Sequence, residues 1–213
     1  MKTITLLFFI ALSFATFAQH QTVGFSGGIS ASNILYNTKV ANSTEYRTGY
    51  LFKVNYEVAI SKGAFFATGA TFQEKGFTNT IIGFNKLEVN NKHTYLGIPF
   101  GIGFQAGQQI YGKFLIQACA SMLISHDSRS KVFDTNGGYK EISTLDVQNY
   151  TPFDFALNPT GRFGYRFGSG IGLFLESSFS LSLNNFVNKT TTPFSSPVRN
   201  YAFGACIGID FKL

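Results

Sequence analysis

The chain has 213 residues, of which only 13% are charged while 16% are aromatic, with 25 Phe, 10 Tyr, no Trp and a formal net charge of +6. That charge content is about half the roughly 25% of an average soluble domain, and the cations are scattered rather than gathered in one run, which argues against a nucleic-acid partner and suits a surface that meets anionic lipid headgroups. With 22 Gly and almost no helical periodicity, the composition leaves an all-β chain of single-domain length.

The first predicted element is an export address. "MKTITLLFFIALSFATFAQ" carries one cation at Lys2, an apolar run from Ile4 to about Ala18, and small residues at Thr16 and Ala18. Those are the three parts of a cleavable secretory signal. The run is shorter than the roughly 20 residues that span a bilayer as a helix, so residues 1–18 are expected to be a signal peptide and 19–213 one β-barrel domain. No other stretch offers 18 consecutive apolar residues.

From there the chain keeps a two-residue beat, the period of an extended strand. The first strand, Thr22 to Leu35, sets Val23, Phe25, Ile29 and Ala31 against Gly24, Ser26, Gly28, Ser30 and Ser32. A polar loop near Tyr36 to Glu45 follows. The second strand sets Tyr50, Phe52, Val54, Tyr56, Val58 and Ile60 against Lys53, Asn55 and Glu57, and "SKG" at 61–63 turns it sharply into the third. There Phe66, Thr68, Ala70 and Phe72 oppose Gly69, Thr71, Gln73 and Lys75.

A longer connection, Asn79 to Asn91, leads to the fourth strand, where Leu96, Ile98, Phe100, Ile102 and Phe104 alternate with Gly97, Pro99, Gly101, Gly103 and Gln105. "AGQQ" turns into the fifth, with Phe114, Ile116, Ala118, Ala120, Met122 and Ile124 opposite Lys113, Gln117, Cys119 and Ser121. The longest interruption, Ser125 to Pro152, holds an Asn136-Gly137 hairpin signal and is expected to project beyond the barrel wall. The sixth strand sets Phe153, Phe155, Leu157, Phe163, Tyr165 and Phe167 against Asp154, Asn158, Arg162 and Arg166. "GSG" then opens the seventh, with Glu176 on its polar face. After Asn184 to Pro197 comes the last strand, "YAFGACIGIDFKL", whose Tyr201, Phe203, Ile207, Ile209 and Phe211 face one way and whose Asp210 and Lys212 face the other.

Eight antiparallel strands, three tight turns and four longer connections predict an all-β, eight-stranded, up-and-down transmembrane β-barrel, its last strand closing on its first. A soluble lipocalin-like ligand carrier, the rival with the same strand count, has a greasy inside and a charged outside. Here the charges share the face of the glycines and serines. Pro99 and Pro159 have no N–H to give a ladder, so a bulge or slipped hydrogen bond is expected at each. Cys119 and Cys206 lie on non-neighbouring strands and read as two small unpaired interior residues.

"YLGIPFGIGF", Tyr95 to Phe104, resembles a stretch of the PorT-like outer-membrane β-barrel family of Bacteroidetes-type bacteria, matching at Tyr95, Leu96, Ile98 and Pro99, with Gly97 where a polar residue is usual. The terminal "GIDFKL" is similar to that family's closing strand, except that Leu213 replaces an aromatic. The resemblance implies an outer-membrane location, contact with outer-membrane lipid, and insertion by the barrel-assembly machinery, which reads the last strand. It implies no particular ligand or cofactor.

An eight-stranded barrel is filled by its own side chains. Lys53, Glu57, Lys75, Lys113, Arg162, Arg166, Glu176, Asp210 and Lys212 are the candidate lumen charges, expected to form a paired network because an unpaired buried charge is costly. A narrow ion path is the alternative. Lys131, Asp134, Lys140 and Glu141 in the longest loop are the candidate external binding residues. An outer-membrane acyl-transfer enzyme would use His126, Asp127 and Ser128 at the rim. Adjacent residues of an extended chain point to opposite faces, however, so the three do not converge as a triad and no enzyme is expected. His20, His93 and His126 stand apart and show no metal spacing. Within the last strand, Ile207 is expected to meet lipid, and Gly208, on the inner face, to tolerate a serine.

Overall fold

The computed structural model describes residues 21–35, 43–82, 86–133, 138–143, 150–168, 170–185 and 198–213; the predicted signal peptide, Asp134 and the Asn136-Gly137 hairpin signal lie outside these. The strands are β1 Gln21–Leu35, β2 Ser43–Ala59, β3 Ala64–Ile82, β4 Lys86–Gly107, β5 Ile110–Phe133, β6 Tyr139–Ser143, β7 Phe153–Arg166, β8 Ile171–Ser182 and β9 Arg199–Lys212. Eight of them form the wall. All pair antiparallel with their neighbours, β9 closes on β1 and β7 on β5, while β6 adds only to the far end of β5. The sixth, seventh and eighth strands of the sequence reading are therefore β7, β8 and β9.

The pairing also fixes the barrel's shape. Partners followed once around the wall from Tyr111 run through Gly164, Phe174, Gly208, Ser26, Lys53, Thr71 and Gly97 and return to β5 at Ser121, ten residues along. A stagger of that size on eight strands tilts them by about 40° and leaves an interior just wide enough for side chains. The three tight turns fall where predicted, and Gly63, Gly107 and Gly170 take positive φ of 88°, 82° and 81° there, which a side chain would resist.

Apolar side chains cover the outside. On β4, Leu96, Ile98, Phe100, Ile102 and Phe104 are 48 to 65% exposed, and on β5 Phe114, Ile116, Met122 and Ile124 continue the belt. No helix among the described residues is long and apolar enough to cross a membrane, and the spanning pattern is carried by the strands. β4 and β5 have 22 and 24 residues, about twice the 9 to 11 that cross a bilayer as a tilted strand. Their outer halves stand beyond the belt on the side opposite the tight turns.

Three sequence expectations are corrected here. The connection expected over Asn79 to Asn91 is mostly strand, since β3 runs to Ile82 and β4 starts at Lys86, and β5 carries on through the expected interruption as far as Phe133. Polar residues there pair as a ribbon above the belt, where alternation of greasy and polar faces is no longer required. Of the bulge or slipped hydrogen bond expected at Pro99 and Pro159, the bulge is absent and the ladder is instead interrupted on one side of each. Pro99 pairs in register with Cys119, and Pro159 with Ile116. On their other sides the ladder skips between Thr68–Phe100 and Thr71–Gly97, and between Leu157–Leu181 and Thr160–Ser178, without any change of register. The Thr68 hydroxyl donates to the Pro99 carbonyl at 3.0 Å across that gap. The register shifts that do occur lie at Thr94/Tyr95 and at Tyr46/Leu51, near the top of the belt. Next to the second, Ser30 and Ser32 of β1 reach past β2 to the backbone of Glu74 and Gly76 on β3.

Candidate functional site

The inward face is set by strand parity. Lys53 and Glu57 stand four residues apart on β2, Lys113 is on β5, Arg162 on β7, Glu176 on β8 and Asp210 on β9, each at a position whose neighbours in sequence face lipid. Closing the barrel brings them together. Lys53 Nζ donates to Glu176 Oε1 at 2.8 Å, while Arg162 donates from Nη1 to Glu57 Oε1 at 2.7 Å and from Nη2 to Glu176 Oε2 at 2.8 Å. Lys113 Nζ pairs with the other oxygen of Glu57 and lies 3.7 Å from Asp210 Oδ2, which also accepts the Tyr111 hydroxyl at 2.7 Å and stands 3.5 Å from Arg166 Nη2. Every carboxylate here serves at least two cations. The pairs run from β2 to β5, β7 and β8, so they cross the lumen rather than follow its wall.

Nearer the loop end lies a second layer. Lys75 Nζ donates to Asp154 Oδ2 at 2.7 Å and to Ser180 Oγ at 3.2 Å, with the Tyr95 ring 5.5 Å from the ammonium. Lys212 is the exception among the nine predicted lumen charges. It is exposed at the tight-turn rim, because the last inward position of β9 lies beyond the barrel's mouth.

Apolar residues also fill the lumen, which the alternation does not announce. Leu51, Phe65, Leu115 and Phe174 are all buried inside, each next to outward apolar residues such as Tyr50 and Phe52, Phe66, Phe114 and Ile116, or Leu173 and Leu175. The signal was a run of two or three apolar residues, since one member of such a run must point inward. Arg162 stacks 4.1 Å over the Phe174 ring, and Lys113 lies 5.5 Å from that of Phe65. Cys119 and Cys206 are buried free thiols.

Above the belt, a clasp that the sequence reading missed covers the loop end of the lumen. His93 and His126, directly paired across β4 and β5, stack at 4.5 Å with their Nδ1 atoms 2.8 Å apart, and the Tyr150 ring lies 4.7 Å from one and 4.3 Å from the other. Tyr150 also packs with Ile34 and Phe77 on Val198. Only register could reveal that partnership, as the two histidines are 33 residues apart. Asp127 faces away from His126 and Ser128 and pairs with Arg129 at 3.1 Å, as parity requires. Among the described residues no three His, Cys, Asp or Glu side chains converge as metal ligands.

Of the external candidates, Lys131, Lys140 and Glu141 sit on the β5–β6 ribbon: Lys131 pairs with Glu141 across it and lies 5.4 Å from the Tyr139 ring. Asp134 is outside the described residues. A groove of about 450 Å³ runs along this face, lined by Arg47, Asn90, Lys92, Arg129, Lys131 and Glu141 among others. Its charges largely answer one another, with Lys92 opposite Asp127 and Lys131 opposite Glu88.

The model of a family described as outer membrane protein beta-barrel domain matches residues 17–188. No curated protein matches the chain. Among solved structures the chain is similar to Neisserial surface protein A (10% identity, 91% of this chain and 97% of that one, TM-score 0.48). It is likewise similar to OprG from Pseudomonas aeruginosa (8% identity, 90% and 95%, TM-score 0.48) and to the attachment invasion locus protein Ail of Yersinia pestis (10% identity, 89% and 98%, TM-score 0.39).

Proposed function

The chain belongs to the outer membrane protein beta-barrel domain family, and from that membership we propose that it is a closed, non-conducting barrel serving as a structural and binding element of the outer membrane rather than as a pore or an enzyme. The observation that carries this reading is the filled lumen. Ion pairs from β2 to β5, β7 and β8 cross it at one level, Lys75 with Asp154 at a second, and the histidine clasp covers it at a third. Opposite charges held this way leave no continuous polar path, and moving any one of them exposes an uncompensated partner.

In this reading the tight turns face the periplasm and the β4–β5–β6 ribbon faces outward, the usual polarity of such barrels. Its grooved, charge-bearing face, with Lys131 and Glu141, is the binding element, on a scaffold that the ladder makes rigid, and Lys140 stands on the ribbon's opposite face. The Tyr95, Leu96, Ile98 and Pro99 match favours the PorT-like branch of these barrels, and insertion is assigned to the barrel-assembly machinery acting on Tyr201 to Leu213.

Single-channel recording on the refolded mature protein tests the proposal. No resolved opening steps are expected. Steady openings by the unmodified protein at neutral pH would replace this reading with a narrow ion path through the network.

A further inference from the structure

The histidine clasp fastens a part of the wall that stands apart from the rest. Beyond the Ser32–Arg47 pair β1 parts from β2, and beyond the Met122–Phe153 pair β7 parts from β5, so the upper ends of β2, β3, β4 and β5 leave the barrel as one ribbon. Both register shifts cross this ribbon at its base, one between Tyr46 and Leu51 on β2 and the other between Thr94 and Tyr95 on β4. They stand at the same height, because Gln73, the partner of Leu51, is also the partner of Tyr95. A shift of this kind bends the strand that carries it, and two at one level make a hinge line.

Across that line the clasp is the fastener. His93 and His126 ride on the ribbon, whereas Tyr150, against both rings, sits at the rim of the wall, where it packs on Val198 and Ile34 and where Thr151 beside it donates to the Asn185 carbonyl at 2.9 Å. The two Nδ1 atoms, 2.8 Å apart, hold one proton between them, since one must donate and the other accept. Protonating both rings sets two N–H groups head to head. Around the rings stand Arg47 on β2, Glu74 and Lys75 on β3, Lys92 on β4, Asp127 on β5 and Asp154 on β7, while the upper ends of β1, β8 and β9 bring no charge but the exposed Arg199. Each of these carboxylates already has a cation: Glu74 pairs with Lys92, Asp154 with Lys75 and Asp127 with Arg129. Added positive charge on the clasp therefore finds no free counter-charge among the described residues, and burial itself favours the neutral ring at His93.

We propose that the β2–β5 ribbon is an acid-released lid over the loop-end mouth of the lumen, held shut by the neutral histidine pair and freed when both rings take up protons. The ion pairs beneath, from Lys75 with Asp154 down to Arg162 with Glu57, stay in place, so release opens the mouth without opening a path through the barrel. A released histidine titrates at about 6.5. Lowering the pH from 7 to 5 therefore favours the open lid by about tenfold or more for each ring that takes its proton only when released.

Thiol accessibility tests the lid. Ser182, the last inward residue of β8, is buried three positions before the Asn185 that Thr151 touches, and its hydroxyl makes no hydrogen bond to the described residues, so Ser182→Cys is a mild change. In the refolded Ser182→Cys/Cys119→Ser chain in micelles, modification by a dipyridyl disulfide, a reagent that attacks thiols in acid as well as at neutrality, is followed at pH 7 and pH 5 and normalised to the urea-unfolded chain at the same pH. The introduced thiol should react about tenfold or more faster at pH 5, while the native Cys206, level with Glu176 and the lower ion pairs, stays protected at both values. Adding His93→Asn and His126→Asn should abolish the acceleration. A folded chain that shows no acceleration, an acceleration that survives loss of both histidines, or equal exposure of Cys206, which marks unfolding of the whole barrel, overturns the lid. Should the chain lacking both histidines not refold, His126→Gln alone decides: with one ring fewer the acceleration should fall about tenfold, and an undiminished one overturns the lid. Because the assay does not read conductance, its failure leaves the closed-barrel reading standing, and single-channel openings at neutral pH would overturn that reading while leaving the lid in place.

Discussion

Arg162 and His93 show two ways a polar side chain survives burial in this barrel. Arg162 does so as a charge, bonded to Glu57 and Glu176 together, so that removing either carboxylate would strand the rest. His93, fully buried just beyond the lipid belt, does so as a neutral ring. Burial first, then the neighbouring His126 and Arg47, hold it well below its ordinary value of 6.5. The charged groups placed around it are Arg47 on β2, Lys75 opposite it on β3, Lys92 beside it and Asp127 on β5. An unfolded histidine takes up a proton as the pH drops through about 6.5 while this one resists, so its contribution to stability is complete above that value and is lost as the pH falls through the folded pKa. Acid should therefore loosen the clasp but not the belt. Amide exchange at Asn91 to Thr94, corrected for intrinsic rate, should be faster at pH 5 than at pH 7 and should lose that dependence in His93→Asn. A clasp equally protected at both values would contradict this account.

The closing seam between β1 and β9 carries the burden at the level of elements. Ile207 is 67% exposed on the lipid face, and Ile207→Arg should cost roughly 2 to 4 kcal/mol if it lies near the bilayer midplane. Inner-face glycines along the seam do not behave alike, and the expectation that Gly208 tolerates a serine is reversed. A Cβ there would overlap the Phe174 ring and come within 2.6 Å of the Phe25 carbonyl. At Gly28 it would collide with the Ala205 carbonyl, whereas at Gly24 it would meet Asp210 and Ile209 at an ordinary 3.6 Å. Urea unfolding in micelles should find Gly28→Ala and Gly208→Ser severely destabilised and Gly24→Ala close to the parent. If all three behave alike, the seam is not paired in this register.

For the whole molecule, the separation of ends is the testable property. Every described tight turn lies at one mouth and the long ribbon at the other. Protease added to intact cells should cut within residues 125–152 and spare 61–63, 106–109 and 168–170, leaving a membrane-embedded core that migrates differently on gels before and after boiling. Cuts confined to the three turns would invert the barrel.

The sequence by itself determined much of this protein: the lipid face from Phe25 through Ile207, the inward direction of Lys53, Glu57, Lys113, Arg162 and Glu176, the three turns, and eight walls with β9 closing on β1. The two faces follow from one local rule, that neighbouring side chains on a strand point opposite ways, the turns from their glycines, and the closure from an even count of antiparallel strands. What parity cannot carry is the stagger, since a chain of alternating residues looks the same at any even shift. Tertiary structure decided that ten-residue displacement, and with it every partnership across the lumen. It set Arg162 between Glu57 and Glu176, opposed His93 to His126, gave Lys75 to Asp154, which had been read as inward but left out of the network, and put Lys212 outside it. It also decided that the polar stretches after Ile124 and before Tyr95 are strand. Above the membrane a ribbon is held by backbone hydrogen bonds and cross-strand charges, which leave no greasy stripe in the sequence to read.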